Sequence, residues 1–119
     1  MTSPVIKKNI VKKPWGTYEV LLDEPNYKVK RIIVYPYERF SLQYHKHREE
    51  HWVIVEGDGI VQVNRKEYPA IVRSHWVILP TELHRATAGP NGLVFIETHT
   101  GKCEEADIVR LEDDYGRTG

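Results

Sequence analysis

The chain has one cysteine, Cys103, in 119 residues, so no internal disulfide can staple it and the fold must hold by packing. No apolar run approaches the roughly 20 residues needed to span a bilayer. The first residues carry neither the apolar stretch nor the cleavage site of a secretory signal. A net charge is missing as well. The 17 basic and 17 acidic residues cancel, which excludes the one-signed field that gathers nucleic acid or coats an anionic membrane. A cytoplasmic protein with neither kind of partner is expected.

Convincing helical periodicity is also absent. Residues 20–22, 27–35, 52–55, 60–63, 76–79 and 93–98 are instead short runs rich in β-branched and aromatic side chains. Turn signals separate them at 23–26, 56–59, 64–67 and 89–92. Residues 104–117, EEADIVRLEDDYGR, read as a strand or turn followed by a tail. This length supports one core and therefore one domain. Residues 1–11, with Lys7 and Lys8, read as a solvated arm that the basic cluster extends to Lys12 and Lys13; 12–117 is the domain and 118–119 a tail. Many short strands in a small chain must bury their edges, so an all-β barrel or double-sheet jelly roll is expected. Trp52 and Trp76 should fill its core, Trp15-Gly16 should fold over an edge or meet a second copy, and Tyr35 and Tyr37 should be buried.

What is abundant is chemistry in one place. Residues 41–52, SLQYHKHREEHW, hold three histidines, two glutamates, a glutamine and an arginine. Gln43, His45 and His47 alternate, so on a strand they share a face. Glu50 follows a polar stretch where the chain can reverse, which predicts a hairpin with donors on both arms. His84 ends the run HWVILPTELH and can close the set. Gln43, His45, Glu50 and His84 are the candidate metal ligands, with positions left for water or substrate. Imidazole beside carboxylate suits a divalent ion such as zinc, manganese, iron, cobalt or nickel better than calcium. His47 and His51 fit a ligand, a group behind the ligands, or an acid–base role alike. His75 reads as solvated, and His99 as either solvated or standing behind the ligands.

These residues resemble a known family. HKHREEHWVIVEGDG is similar to the first cupin motif, with paired ligands, a glutamate and a later glycine at Gln43, His45, Glu50 and Gly57. ILPTELH is similar to the second. KKPWGTYEVL at 12–21, YKVKRIIV at 27–34, FSLQYHKHREEHWVIVEGDGIV at 40–61 and DIVRLEDDYGR at 107–117 resemble, in order, the type II mannose-6-phosphate isomerase domain. That domain is usually the C-terminal part of bifunctional enzymes that also carry mannose-1-phosphate guanylyltransferase activity. The resemblance implies a single-domain cupin jelly-roll barrel, a divalent metal with zinc first, the ligands Gln43, His45, Glu50 and His84, and interconversion of mannose 6-phosphate and fructose 6-phosphate. The sequence lacks the nucleotidyltransferase half and its glycine-rich loop, so no guanylyltransferase activity is expected. The family's Pro-x-Gly-x-x-His is one residue shorter here, Pro80 to His84, and lacks the glycine.

Aldose–ketose isomerisation needs a polarised carbonyl and a base beside it. His47, His51, Glu97 and Lys30 are the candidate bases. Arg48, Arg85 and Arg110 are the candidates for the sugar phosphate, whose oxygens match a guanidinium fork. Other readings are a metal-dependent cupin enzyme on another sugar or small molecule, and a sugar-phosphate-binding cupin without catalysis. A homodimer is expected from exposed strand edges and aromatics.

Overall fold

The computed structural model describes residues 9–102, 104 and 106–116, which leaves Lys7, Lys8 and Cys103 outside. The described residues form nine β-strands and no helix, so no helix is long and apolar enough to cross a membrane. The strands are β1 Asn9–Lys13, β2 Gly16–Asp23, β3 Tyr27–Val34, β4 Leu42–Tyr44, β5 Arg48–Val63, β6 Lys66–Ala70, β7 His75–Ile78, β8 His84–Gly101 and β9 Val109–Glu112. β1 pairs with β2 from Asn9↔Val20 to Lys13↔Gly16, so residues 9–13, with Lys12 and Lys13, belong to the sheet and not to an arm.

The sheet curls because its two longest strands each serve both halves of it. The first half of β5 lies between β7 and the second half of β8, and β3, β2 and β1 extend that leaf. The second half of β5 lies between β6 and the first half of β8, which β4 and β9 extend. The turns expected at 56–59 and 89–92 are therefore irregularities inside continuous strands, with register shifts on β5 between Ile54 and Glu56 and between Gly57 and Gly59. Gly57 shows why glycine is needed there. Its φ is +78°, and a Cβ would sit 2.1 Å from the Gly92 carbonyl oxygen. The expected hairpin between 43–45 and 50–57 does not form: β4 pairs with β8 and β9, while β5 pairs elsewhere.

Alternation on three neighbouring strands divides the inner face crosswise. Ile32, Phe95 and Ile54 stand abreast on β3, β8 and β5; Lys30, Glu97 and Trp52 form the next row, and Lys28, His99 and Glu50 the one after. All nine are buried. One end is thus an apolar core, where Phe95 packs on Trp52 and Phe40 with ring centroids 4.6 and 6.4 Å away. Trp15 joins it, 5.3 Å from Phe40, so it belongs to the core. Trp76 only flanks the core, partly covered by Tyr68. Tyr35 and Tyr37, expected inside, are 43% and 74% exposed because they sit on a turn where Tyr37 takes a φ of 63°.

The C-terminal segment is fastened across the open edge. Arg39 makes a bidentate pair with Asp114 at 2.8 Å on both arms, and the Tyr115 hydroxyl donates to the Glu38 carboxylate. Burial first, then that bond, pushes the Tyr115 phenol up to about 12. An exposed tyrosine titrates near about 10. The folded state therefore holds this proton more tightly than the unfolded state does. The resulting stabilisation is complete below about pH 10 and is lost as pH rises towards about 12. Urea midpoints are expected to fall more steeply over that window for the parent than for Tyr115→Phe, whose ring has no proton to lose.

Candidate metal centre and cavity

The polar end of the inner face receives side chains from both leaves. Gln43 on β4 is the cross-strand neighbour of His84 on β8, and His45 follows β4 by one residue. Glu50 enters from β5. The ligating atoms of His45, Glu50 and His84 lie within 4.8 Å of one another, and all three residues are buried.

Each imidazole is oriented from behind. His45 Nδ1–H donates to the Asp107 backbone carbonyl, and His84 Nδ1–H donates to the Glu82 carbonyl at 2.9 Å. A carbonyl only accepts, so Nε2 is the atom each ring offers to the centre. His45 Nε2 is 3.0 Å and His84 Nε2 3.9 Å from Glu50 Oε2. The shorter gap calls for a proton or a cation shared by the two atoms. Arg48 reaches both, with Nε 3.0 Å from Glu50 Oε2 and Nη2 2.9 Å from His45 Nε2. That nitrogen accepts one bond at a time, so coordination of a cation there and the Arg48 bond are alternatives. Gln43 completes the group, its Nε2 3.5 Å from His45 Nε2 while its Oε1 accepts from Ser41 at 2.7 Å.

Electrostatics favours positive charge at this point. Burial alone would raise the Glu50 carboxyl, but His45, His84, Arg48 and His99 outweigh it and hold the carboxyl well below the usual range. Burial, opposed by Glu50, lowers His84. His84 Nε2 is a buried acceptor with no hydrogen-bond partner, as a ligand atom awaiting a cation would be. The donor set fits a divalent ion on these grounds.

His84 is aimed by the shortened loop. Thr81 takes the φ of 71° that glycine favours, a strained conformation for a β-branched residue. Its amide donates to the His45 carbonyl at 2.7 Å, which ties the two histidine segments together. Glu82 accepts from the Leu79 amide and from Asn64, each at 2.8 Å, and Asn64 in turn holds the Leu83 amide. The missing glycine is thus replaced by side-chain bonds that hold the turn.

A cavity of about 150 Å³ opens beside the centre, lined by Gln43, His45, Arg48 and Glu97 and by the cations Lys13, Lys30 and Arg110. Lys30 also lies 4.3 Å above the Tyr18 ring. Glu97 accepts from His99 Nε2 at 2.8 Å, and that nitrogen is 3.8 Å from Glu50 Oε1. Glu50, Glu97 and His99 therefore form a second group of close donors that shares Glu50 with the first. Trp52 Nε1–H donates to the same Glu50 oxygen at 2.9 Å.

Of the sequence candidates, Gln43, His45, Glu50, His84, Arg48, Glu97, Lys30 and Arg110 meet here. His47 and His51 do not: both are exposed, and His51 pairs with Glu49 at 2.7 Å on the outer face. Arg85 stands one residue from His84 on a strand and so faces the other way, donating to the Phe40 carbonyl and to Glu112. His99 is fully buried and His75 exposed. Lys13, Tyr18 and the Asp107 carbonyl were missed. Only the pairing of β1 with β2, of β2 with β3 and of β9 with β4 brings them in, although the parity of Glu97 and His99 on one strand was there to be read.

Residues 3–113 match the family described as mannose-6-phosphate isomerase C-terminal. A mannose-1-phosphate guanylyltransferase of Klebsiella pneumoniae is 37% identical over 108 residues, covering 88% of this chain and 23% of the relative. The alginate biosynthesis protein AlgA of Pseudomonas aeruginosa is 40% identical over 110 residues, covering 91% and 23%. The chain thus spans about a quarter of the length of these relatives, which are named for guanylyl transfer or polysaccharide synthesis and not for isomerisation. Among solved structures, the capsular polysaccharide assembling protein CapF of Staphylococcus aureus superposes with a TM-score of 0.79 at 17% identity, over 90% of this chain and 32% of that one. A cupin-2 domain from Rhodospirillum rubrum superposes at 0.71 and 19%, over 90% and 81%. At such identities the likeness establishes the fold, which is that of a cupin.

Proposed function

This chain belongs to the mannose-6-phosphate isomerase C-terminal family, and from that premise we propose that it is a metal-dependent aldose–ketose isomerase acting on mannose 6-phosphate and fructose 6-phosphate. The observation that carries this reading is a buried His45–Glu50–His84 donor set whose His45 also lines a cavity holding the Glu97 carboxylate and several cations. His45, Glu50 and His84, joined by Gln43 through its amide oxygen, would hold the divalent ion, for which zinc comes first and manganese, iron, cobalt or nickel follow. When bound, the ion supplies Lewis-acid polarisation of the sugar carbonyl.

The rest falls to the chain's own side chains. Glu97 takes the proton from the carbon beside the carbonyl and returns it to the former carbonyl carbon, which is the base role, while the hydroxyl proton of the first carbon passes to the former carbonyl oxygen. His99 fixes that carboxylate from behind. Arg48 Nη1 and Arg110 Nε are buried nitrogens without hydrogen-bond partners on residues that line the cavity. With Lys13 and Lys30 they give the phosphate a cationic wall. Trp15, Ile32 and Phe40 close the apolar side and keep bulk water from the reacting carbons.

Incubation of the zinc-loaded chain with mannose 6-phosphate, followed by coupled detection of fructose 6-phosphate, is expected to show turnover that chelation removes and zinc restores. A zinc-loaded chain that leaves mannose 6-phosphate unchanged would refute the substrate assignment.

A further inference from the structure

We propose that Asp107, on the segment leading into β9, is the positioning residue of the metal centre, setting both the backbone and the ring of His45. The inference rests on the reading of His45 as a ligand. Asp107 is 62 residues away in sequence, yet its backbone meets the ring of that histidine and its side chain meets the two residues that follow it. Its carbonyl takes the His45 Nδ1 proton, which leaves Nε2 to the cation. Its carboxylate accepts from the Lys46 amide at 3.0 and 3.2 Å and from the His47 amide at 2.9 Å, the two peptide groups that follow the ligand. On the other side of His45, β4 is held by β9 through Gln43↔Arg110 and Tyr44↔Val109. The ligand is therefore gripped before, behind and at the ring by one short stretch of chain.

A mere turn cap would satisfy the amides and stop there. Here the same residue also fixes the proton on the ligand ring. Without the carboxylate, residues 46–47 and the segment before β9 are no longer tied, and the carbonyl is free to leave the imidazole. The ring then gains access to the tautomer that places hydrogen on Nε2, the one atom a metal must have bare. The segment also carries Ile108 and Arg110 into the cavity wall, so loosening it disturbs the cavity with the ligand. Asp107 is only half-buried, so shortening it opens no void in the core.

The test is divalent-metal affinity, measured on the full chain by zinc competition with a chelating dye and by the visible spectrum of the cobalt-loaded protein. Asp107→Ala is expected to weaken zinc roughly 10–100-fold, the effect typical of losing a partner behind a ligand, and to change the cobalt spectrum. Asp107→Asn keeps an acceptor for the amides and is expected to stay within a few-fold of the parent. Melting temperatures of the metal-stripped proteins separate this from a structural role, which would move melting and leave the cobalt spectrum alone. The inference is overturned if Asp107→Ala binds zinc as tightly as the parent, or if Asp107→Asn loses as much affinity as Asp107→Ala. A parent chain that binds neither zinc nor cobalt overturns the metal centre itself and this inference with it.

Discussion

Glu97→Gln is expected to lower isomerisation turnover by roughly 10²–10⁴-fold, the usual contribution of a positioned general base, while the chain keeps its bound cation. The amide has nearly the shape of the carboxylate and can still accept from His99, so the cavity wall should persist. What disappears is the basic oxygen facing the substrate. Of the groups first considered for this role, Glu97 and Lys30 line the cavity, whereas His47 and His51 are exposed elsewhere. Lys30 is a cation beside Tyr18, better suited to an anionic group than to taking a proton. Turnover and metal content measured on the same preparation decide the matter. Turnover within a few-fold of the parent, or loss of metal together with turnover, would remove Glu97 from the base role.

Glu50→Gln is expected to act at two levels. Its carboxylate contacts Arg48, His45 and Trp52 in a buried setting, at 3.0, 3.0 and 2.9 Å. Removing the charge leaves the Arg48 guanidinium uncompensated, and breaking a buried pair in this way costs about 3–5 kcal/mol. The cation loses its only anionic ligand among the four proposed, so its affinity should fall by more than the roughly 10–100-fold attached to partners behind ligands. Urea denaturation in the presence of a chelator isolates the first effect, and metal analysis after dialysis reads the second. His84→Ala is the companion variant. It removes a ligand without unpairing Arg48, so it should lose metal while retaining more of the stability. If both variants bound zinc with parental affinity, the centre would have to lie elsewhere.

Much of the site was legible because it rests on local rules. Parity along a strand puts Glu50, Trp52 and Ile54 on one face and His51 on the other, and the same rule separates His84 from Arg85. It could have excluded His51 and Arg85 at the outset. It also places Glu97 and His99 beside Phe95 on the inner face. The family motifs added the order of the ligands. Partner choice was not legible in the same way. Residues 42–44 and 48–50 look like two arms of a hairpin, yet their ladders run to different strands. Glycine-rich stretches at 56–59 and 89–92 look like chain reversals, yet they let two long strands bend from one leaf to the other.

By itself the sequence determined an all-β chain with a polar cluster at one end of alternating strands, since side-chain period and turn chemistry depend on near neighbours. Only the tertiary structure decided which imidazoles converge, that Lys13 and Arg110 share a cavity, and that a carbonyl 62 residues away orients His45. Strand pairing across long separations is selected by the burial of the whole inner face, and no single segment carries that information.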